Sequence, residues 1–490
     1  MNTAPLTLLR DFSDRLSPML VKELRHGLRT PAFTSLLTSF QIFMIVVIGS
    51  GALGVPVEVT SNIFWSITLV ALLLALPLRG FGSLSGEVQG GTMDMLTLTS
   101  ISSFRIVYGK WTALVSQSLL LAVSLLPYMV ARYHFGGVEI VREAIALAVV
   151  VVASAVATAA YVAFSSQRSL VLRLFLTSGI LFLLLPVTVF VFSMINDQSG
   201  DFMLRAFLSL PMLESWGVVL GILLLSAHAI FTFLALGASR IAPVSENHST
   251  WKRLIHLAML ILVTGIGWAL SVNPDPDMVM WALFPGLFLT LLIGADVLTE
   301  EIPRFPSVVQ GLQQRGGPVW FMRRLLYPGW AAGVYFYILL VVLNISMFFW
   351  HWIHHSPYRF GTALMLATCL LISPLVPVTL RMNKSNHFAN WWVVHLSLGV
   401  VGILLTIFKG ITSNQEFGYL GVFTPVTGLF GMIDGRYHGE SIASVTLGFS
   451  LCWLAVAFVR ALAEGKQYKI LENEARELSN PVSFTPDPAP

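Results

Sequence analysis

Residues 174–194 read LFLTSGILFLLLPVTVFVFSM, a stretch of 21 residues with no charge. At a helical rise of about 1.5 Å per residue it spans the roughly 30 Å hydrocarbon core of a bilayer. Runs of this kind recur along the whole chain of 490 residues. They occur at 33–54, 62–82, 111–131, 143–164, 174–194, 216–238, 254–271, 278–297, 331–350, 361–380, 391–409 and 443–461. The composition agrees: 56% of residues are hydrophobic, only 11% are charged, and the mean hydropathy is +0.77. That charge is too little to cover a soluble protein of this size. The expected fold is an all-α polytopic membrane protein of about twelve transmembrane helices. Prolines 77, 127, 186, 285, 374 and 377 fall inside runs. Neighbouring helices can satisfy the backbone groups they free, so they predict kinks and not ends.

Lys and Arg set the orientation. With the N-terminus inside, only six of the 29 basic residues fall outside: Arg132, Arg142, Arg205, Arg359, Lys409 and Arg436. Every inside segment keeps at least two, a consistent positive-inside pattern that puts both termini in the cytoplasm. The N-terminus carries about 30 polar and amphipathic residues before its first apolar run, which excludes a cleaved signal peptide. The expected location is the cell membrane.

The runs divide into two sets of six. In each half the second inside segment is long, 83–110 and 298–330, and a semi-apolar outside segment precedes the sixth run, about 195–215 and 410–442. Those outside segments, with Pro211 and Pro425, suit short re-entrant or surface helices. The expected organisation is a cytoplasmic N-terminus (1–32), a first six-helix half (33–238), a linker (239–253), a second half (254–461) and a tail (462–490) that is disordered at its end. An even number of spans per half makes the repeat parallel.

Residues 16–30, LSPMLVKELRHGLRT, predict an amphipathic helix with Ser17 as N-cap and Pro18 as its first residue. Leu16, Leu20, Leu24 and Leu28 form one stripe, and Lys22, Arg25 and Arg29 lie off it. Such a helix lies in the interface with its cations toward anionic headgroups.

Residues 86–111, GEVQGGTMDMLTLTSISSFRIVYGKW, are neither span nor loop filler. Gly90 and Gly91 permit a turn, a helix runs through 92–98, and Ser102 or Ser103 caps a second helix leading into the next span. The helical face is apolar, with Met93, Met95, Leu96 and Leu98. An apolar face at the cytoplasmic surface wants a cover, either a partner or the chain's own bundle.

This stretch resembles the cytoplasmic loop between the second and third spans of ABC-2 type transporter permeases. The matching residues are Glu87, Gly91, Thr92, Asp94, Leu96, Leu98, Thr99, Ser102, Ile106, Val107, Gly109 and Lys110. The helix at 18–30 is similar to that family's N-terminal interfacial helix, with Leu20, Lys22, Glu23, Leu24, Arg25 and Arg29 as its residues. Two departures stand out: Gln89 and Gly90 occupy places where many members have Arg, and 298–330 lacks the Glu…Gly-Thr pattern. The resemblance implies a permease subunit of an exporter, with 87–110 as a coupling helix. A separate ABC ATPase, in two copies, would dock there and carry ATP and Mg²⁺, so this chain needs no cofactor of its own. No GxxxxGK[ST] occurs in the chain. A homodimer is one arrangement open to it, the lipid bilayer is a partner, and nucleic acid is not.

Other classes remain in play. An ion- or proton-coupled secondary transporter would place a chain of Asp, Glu and His across the bilayer. The ionisable residues that stand out within the runs are His228, Asp296 and His395, with Lys409 at a run end. Asp296 reads as interfacial, and the two histidines as packing residues. Trp350–His355, WHWIHH, reads as an interfacial aromatic belt before it reads as a metal site. Cys369 and Cys452 lie in apolar runs and predict neither a disulfide nor a CxxC site.

Overall fold

The computed structural model describes residues 18–85, 102–136, 138–167, 169–195, 197–209, 212–243, 247–270, 276–313, 324–354, 357–380, 387–412, 419–432 and 439–479. Its regular structure there is helical throughout. The helices are α1 (Pro18–Arg29), α2 (Pro31–Ala52), α3 (Val57–Gly82), α4 (Ser103–Phe135), α5 (Ile140–Phe164), α6 (Leu170–Ile195), α7 (Asp197–Ser209) and α8 (Met212–Ile241). They continue with α9 (Ser249–Leu270), α10 (Pro276–Val297), α11 (Ser307–Gln313), α12 (Trp330–His354), α13 (Pro357–Ile372), α14 (His387–Thr412), α15 (Pro425–Met432) and α16 (Gly439–Ser479).

Among the described residues, ten helices are long and apolar enough to cross a membrane. Of the twelve expected spans, the remaining two fall at 278–297, within α10 (Pro276–Val297, 22 residues), and at 361–380, where the apolar helical stretch is Ala363–Thr379. In the second, Pro374 and Pro377 interrupt the regular turn and Ser373–Leu375 tightens to a 3₁₀ turn. Helices α4, α6 and α10 run through Pro127, Pro186 and Pro285 without a break. The outward surface is apolar: Val46, Val171, Leu223 and Ile411 are each more than half exposed. Such a surface belongs in hydrocarbon, and the protein is a multi-pass membrane protein.

Two compact units emerge: Met1–Trp216 with Ser226–Ala242, and Gly217–Leu225 with Pro243–Pro490. In the first, α4 packs on α5, α5 on α6, α2 on α3 and α4, and α1 on α4. In the second, α9 and α10 pair, α10 packs on α12, and α12 and α13 pack on α16. Its largest buried cluster joins Trp330, Tyr337, Leu371, Leu375 and Trp391 to Ala457, Tyr468 and Leu471.

The segments before the sixth run each carry a short helix, α7 and α15, the latter opening at Pro425. Pro211 lies outside the described residues. The expected tail from 462 begins as a continuation of a helix: α16 runs unbroken from Gly439 through Gly465 to Ser479, and its polar part keeps a buried stripe at Tyr468, Leu471 and Ala475.

Candidate functional site

The 87–110 stretch is framed at both ends in the first unit. At the entry end, α3 widens into a π turn over Val70–Ala75 just before Pro77. There the N–H of Leu76 bonds Ala71 O. The Leu72 carbonyl thus loses its α-helical donor, and its π-register donor would be Pro77, which has no N–H. Ser154 of α5 supplies the missing bond, its Oγ donating to Leu72 O at 2.6 Å.

Past the π turn the backbone runs close over the end of α5. A Cβ on Gly80 would lie 3.2 Å from Tyr161 Cβ and from Val162 Cγ2, tighter than ordinary packing. Ser165 closes the helix end: its Oγ accepts from Leu84 N at 3.1 Å and donates to Val162 O at 2.6 Å. Arg173 of α6 sits over the Phe81 ring at 5.0 Å. At the exit end, Ser102 is the extended N-cap residue of α4 (φ −65°, ψ 147°), without a side-chain capping bond. Leu84 from the entry and Ile106 and Val107 from the exit are buried in one cluster with Ala159, Val162, Leu234 and Ala238.

α1 bridges the two ends. Glu23 Oε1 lies 3.4 Å from Lys110 Nζ, and the Lys110 side chain is 7% exposed. Arg79, at the entry, donates to Thr30 Oγ1 at 2.7 Å and to Gly27 O at 3.3 Å, and also bonds Gln117 of α4. Leu20, Leu24 and Leu28 are half-buried, whereas Lys22, Arg25 and Arg29 are exposed. An amphipathic helix with its leucines inward and cations outward is thereby clipped to both roots of the 86–101 segment.

Of the sequence-predicted coupling residues, Glu87, Gly91, Thr92, Asp94, Leu96, Leu98 and Thr99 lie outside the described residues, as does Ser17. Ser102 is exposed, while Gly109 and Lys110 are buried. The structure brings Glu23 of one motif onto Lys110 of the other, 87 positions apart.

Two buried charge clusters escaped the sequence reading. In the first unit Arg132 and Glu143, 5% and 3% exposed, pair at 2.5 Å. Arg132 also donates to Ser61 Oγ and stands 4.3 Å from the Phe64 ring centre, and Trp65 Nε1 donates to Glu143 at 3.4 Å. Sequence counting put Arg132 in an outside loop. Only the length of α4, which runs to Phe135, places it within a helix.

In the second unit Lys252, Arg253 and His256 of α9 meet Asp296 of α10 and Glu300 just beyond it. Lys252 Nζ is 2.8 Å from Asp296 Oδ1 and 2.9 Å from Glu300 Oε1; the second contact is poorly aligned for a hydrogen bond and is chiefly coulombic. His256 Nε2 is 3.1 Å from Asp296 Oδ2, and Arg253 pairs with Glu300. Asp296, near the end of α10, is 1% exposed and buried among these cations. Burial raises the Glu300 pKa, but the Arg253 and Lys252 charges outweigh it and hold the carboxyl at about 2. The available signal was spacing on one side of the cluster: Lys252 and His256 are four apart and share a face of α9, whereas Glu300 lies past the end of α10.

His228 is buried beside Phe231, and the His395 ring stacks on Trp391 at 5.2 Å. Lys409 and Cys369 are buried and Cys452 is exposed. His355, at the end of the Trp350–His355 cluster, lies outside the described residues. Among the described residues no group of His, Cys, Asp and Glu is arranged to hold a metal. No protein-family model, curated protein or solved structure matches the chain.

Proposed function

We propose that the chain is the permease subunit of an ABC-2 type transporter, moving its substrate outward with ATP hydrolysed on a separate cytoplasmic subunit. Both termini then lie in the cytoplasm, and the protein resides in the cell membrane. One observation carries the reading. The two stretches that bear the family resemblance, far apart in sequence, meet through Glu23 and Lys110, and Arg79 ties the first of them to the entry of the second through Gly27 and Thr30. A push on residues 92–104 is then delivered to α3, α4 and α1 together, through buried contacts that have little room to yield.

The test is ATPase retention. Leu96→Asp and Leu98→Asp put a carboxylate on the apolar face. They should abolish co-purification of an ATP-binding subunit, detected by azido-ATP photolabelling, while the permease still inserts in the membrane. Unchanged co-purification refutes the reading.

The Lys252–Asp296–His256–Glu300–Arg253 network favours a second reading, a proton-coupled secondary transporter, since buried ionisable groups often mark ion pathways. Its positive and negative charges balance with His256 neutral, and each carboxylate faces a cation, which suits a fixed staple better than a site that loads and unloads. Transport by the purified chain alone, driven by a pH gradient and lost in Asp296→Asn, would establish the second reading over the first.

A further inference from the structure

In the second half, residues 298–330 occupy the chain position that 83–110 occupy in the first. The described parts of this segment, 298–313 and 324–330, are gripped by three other parts of the second unit. From the start of α9, Asn247 Nδ2 donates to Val308 O at 3.1 Å, Thr250 Oγ1 to Leu326 O at 3.2 Å and Arg253 to Leu325 O at 2.7 Å. Glu300 ties the two ends together: its Oε2 accepts from Gly329 N at 3.0 Å, and its own carbonyl from Trp330 N at 3.1 Å. From the start of α14, His387 Nε2 lies 2.9 Å from Leu298 O.

The third grip is the polar end of α16. Tyr468 donates to Pro328 O and Tyr327 to Glu472 Oε1, both at 2.8 Å, and the two tyrosine rings lie 5.7 Å apart. Leu298, Val309 and Tyr327 are buried in one cluster with Tyr468, Leu471 and Ala475. Gly329 shows how closely α16 is seated. Its φ is +105°, and a Cβ there would stand 2.5 Å from Tyr468 Oη and 3.0 Å from Ile302 Cα. Leu298, Val309 and Tyr327, among the described apolar side chains of this segment, are thus covered by residues 464–479 of the same chain.

We infer that the described parts of the segment, 298–313 and 324–330, are held closed by the chain's own C-terminal helix, so that the ATPase docks on the 87–110 stretch and not on them. The inference rests on the permease reading above.

Two experiments test it. The first measures thiol labelling by a membrane-impermeant maleimide in inside-out vesicles on a Cys452→Ser background, where Cys369 is buried. Phe305, half exposed, is the open reference and Val309, fully buried, is the probe. Val309→Cys should label about tenfold or more slowly than Phe305→Cys. Ending the chain after Gly465 should bring the two rates together without changing that of Phe305→Cys. Equal rates in the full chain overturn the inference.

The second uses the intact chain in its native membrane, with a photo-crosslinking amino acid at Leu98 or at Phe305 and adducts visualised by azido-ATP. An ATP-labelled adduct from position 98 and none from 305 is expected. Adducts from both positions, or from 305 alone, overturn the inference while leaving the permease reading intact. Adducts from neither overturn the permease reading and this inference with it.

Discussion

Replacing Glu300 by Gln keeps the shape of the side chain and removes its charge. The carboxyl is 8% exposed and serves Lys252, Arg253 and the Gly329 N–H together. Two routes give the size of the loss. Held at about 2 in the fold, against about 4.3 for a free Glu, the carboxyl contributes roughly 3 kcal/mol at neutral pH. Independently, removing one partner of a buried ion pair costs about 3–5 kcal/mol, because the other charge stays buried and uncompensated. Here Lys252 keeps Asp296, and Arg253 keeps the Leu325 and Gly329 carbonyls, so the lower end is expected. The pH dependence follows from the sign. A carboxyl whose pKa is depressed by folding stabilises fully above about pH 5, and that stability is lost as the pH falls toward 2. Unfolding of detergent-solubilised protein should therefore show a deficit of about 3 kcal/mol in Glu300→Gln at pH 7, shrinking steadily toward acid. A deficit under about 1 kcal/mol, or one independent of pH, would refute the reasoning.

Three further outcomes are expected. Gly329→Ala meets both a left-handed backbone and the Tyr468 hydroxyl; it should cost about 2 kcal/mol or more, read as a lower thermal midpoint, and a neutral result would mean that the turn at 327–330 is loosely held. Ser154→Ala leaves the Leu72 carbonyl bare and should cost about 1–3 kcal/mol. In a Pro77→Ala background, which restores an N–H one turn on, the same change should cost much less, and additive losses would disprove the role given to Ser154. Glu23→Gln should weaken the seat of α1, with a coupling energy to Lys110→Gln of about 0.5–2 kcal/mol in a double-mutant cycle; limited proteolysis before α2 should speed up in step, and a coupling near zero would remove α1 from the frame.

The helical spans needed no tertiary information. Hydrocarbon leaves no alternative partner for backbone groups, so an uncharged run such as 174–194 has essentially one stable conformation. The prolines at 127, 186 and 285 were likewise legible as interior residues, since α4, α6 and α10 run straight through them. The amphipathic stripe of α1 was legible too, because four-residue spacing fixes which side chains share a face.

Pairing across the fold was not legible. Arg132 and Lys252 look like ordinary loop and linker cations until packing brings Glu143 and Asp296 within 3 Å. Nothing local records that approach, since it depends on how neighbouring helices align. The same holds for α16. Its polar end reads as a solvated tail, yet Tyr468, Leu471 and Ala475 are buried on the 298–330 segment. Hydropathy along a chain reports what each residue tolerates, and the partner that makes a buried charge or tyrosine tolerable is supplied only by the packed bundle.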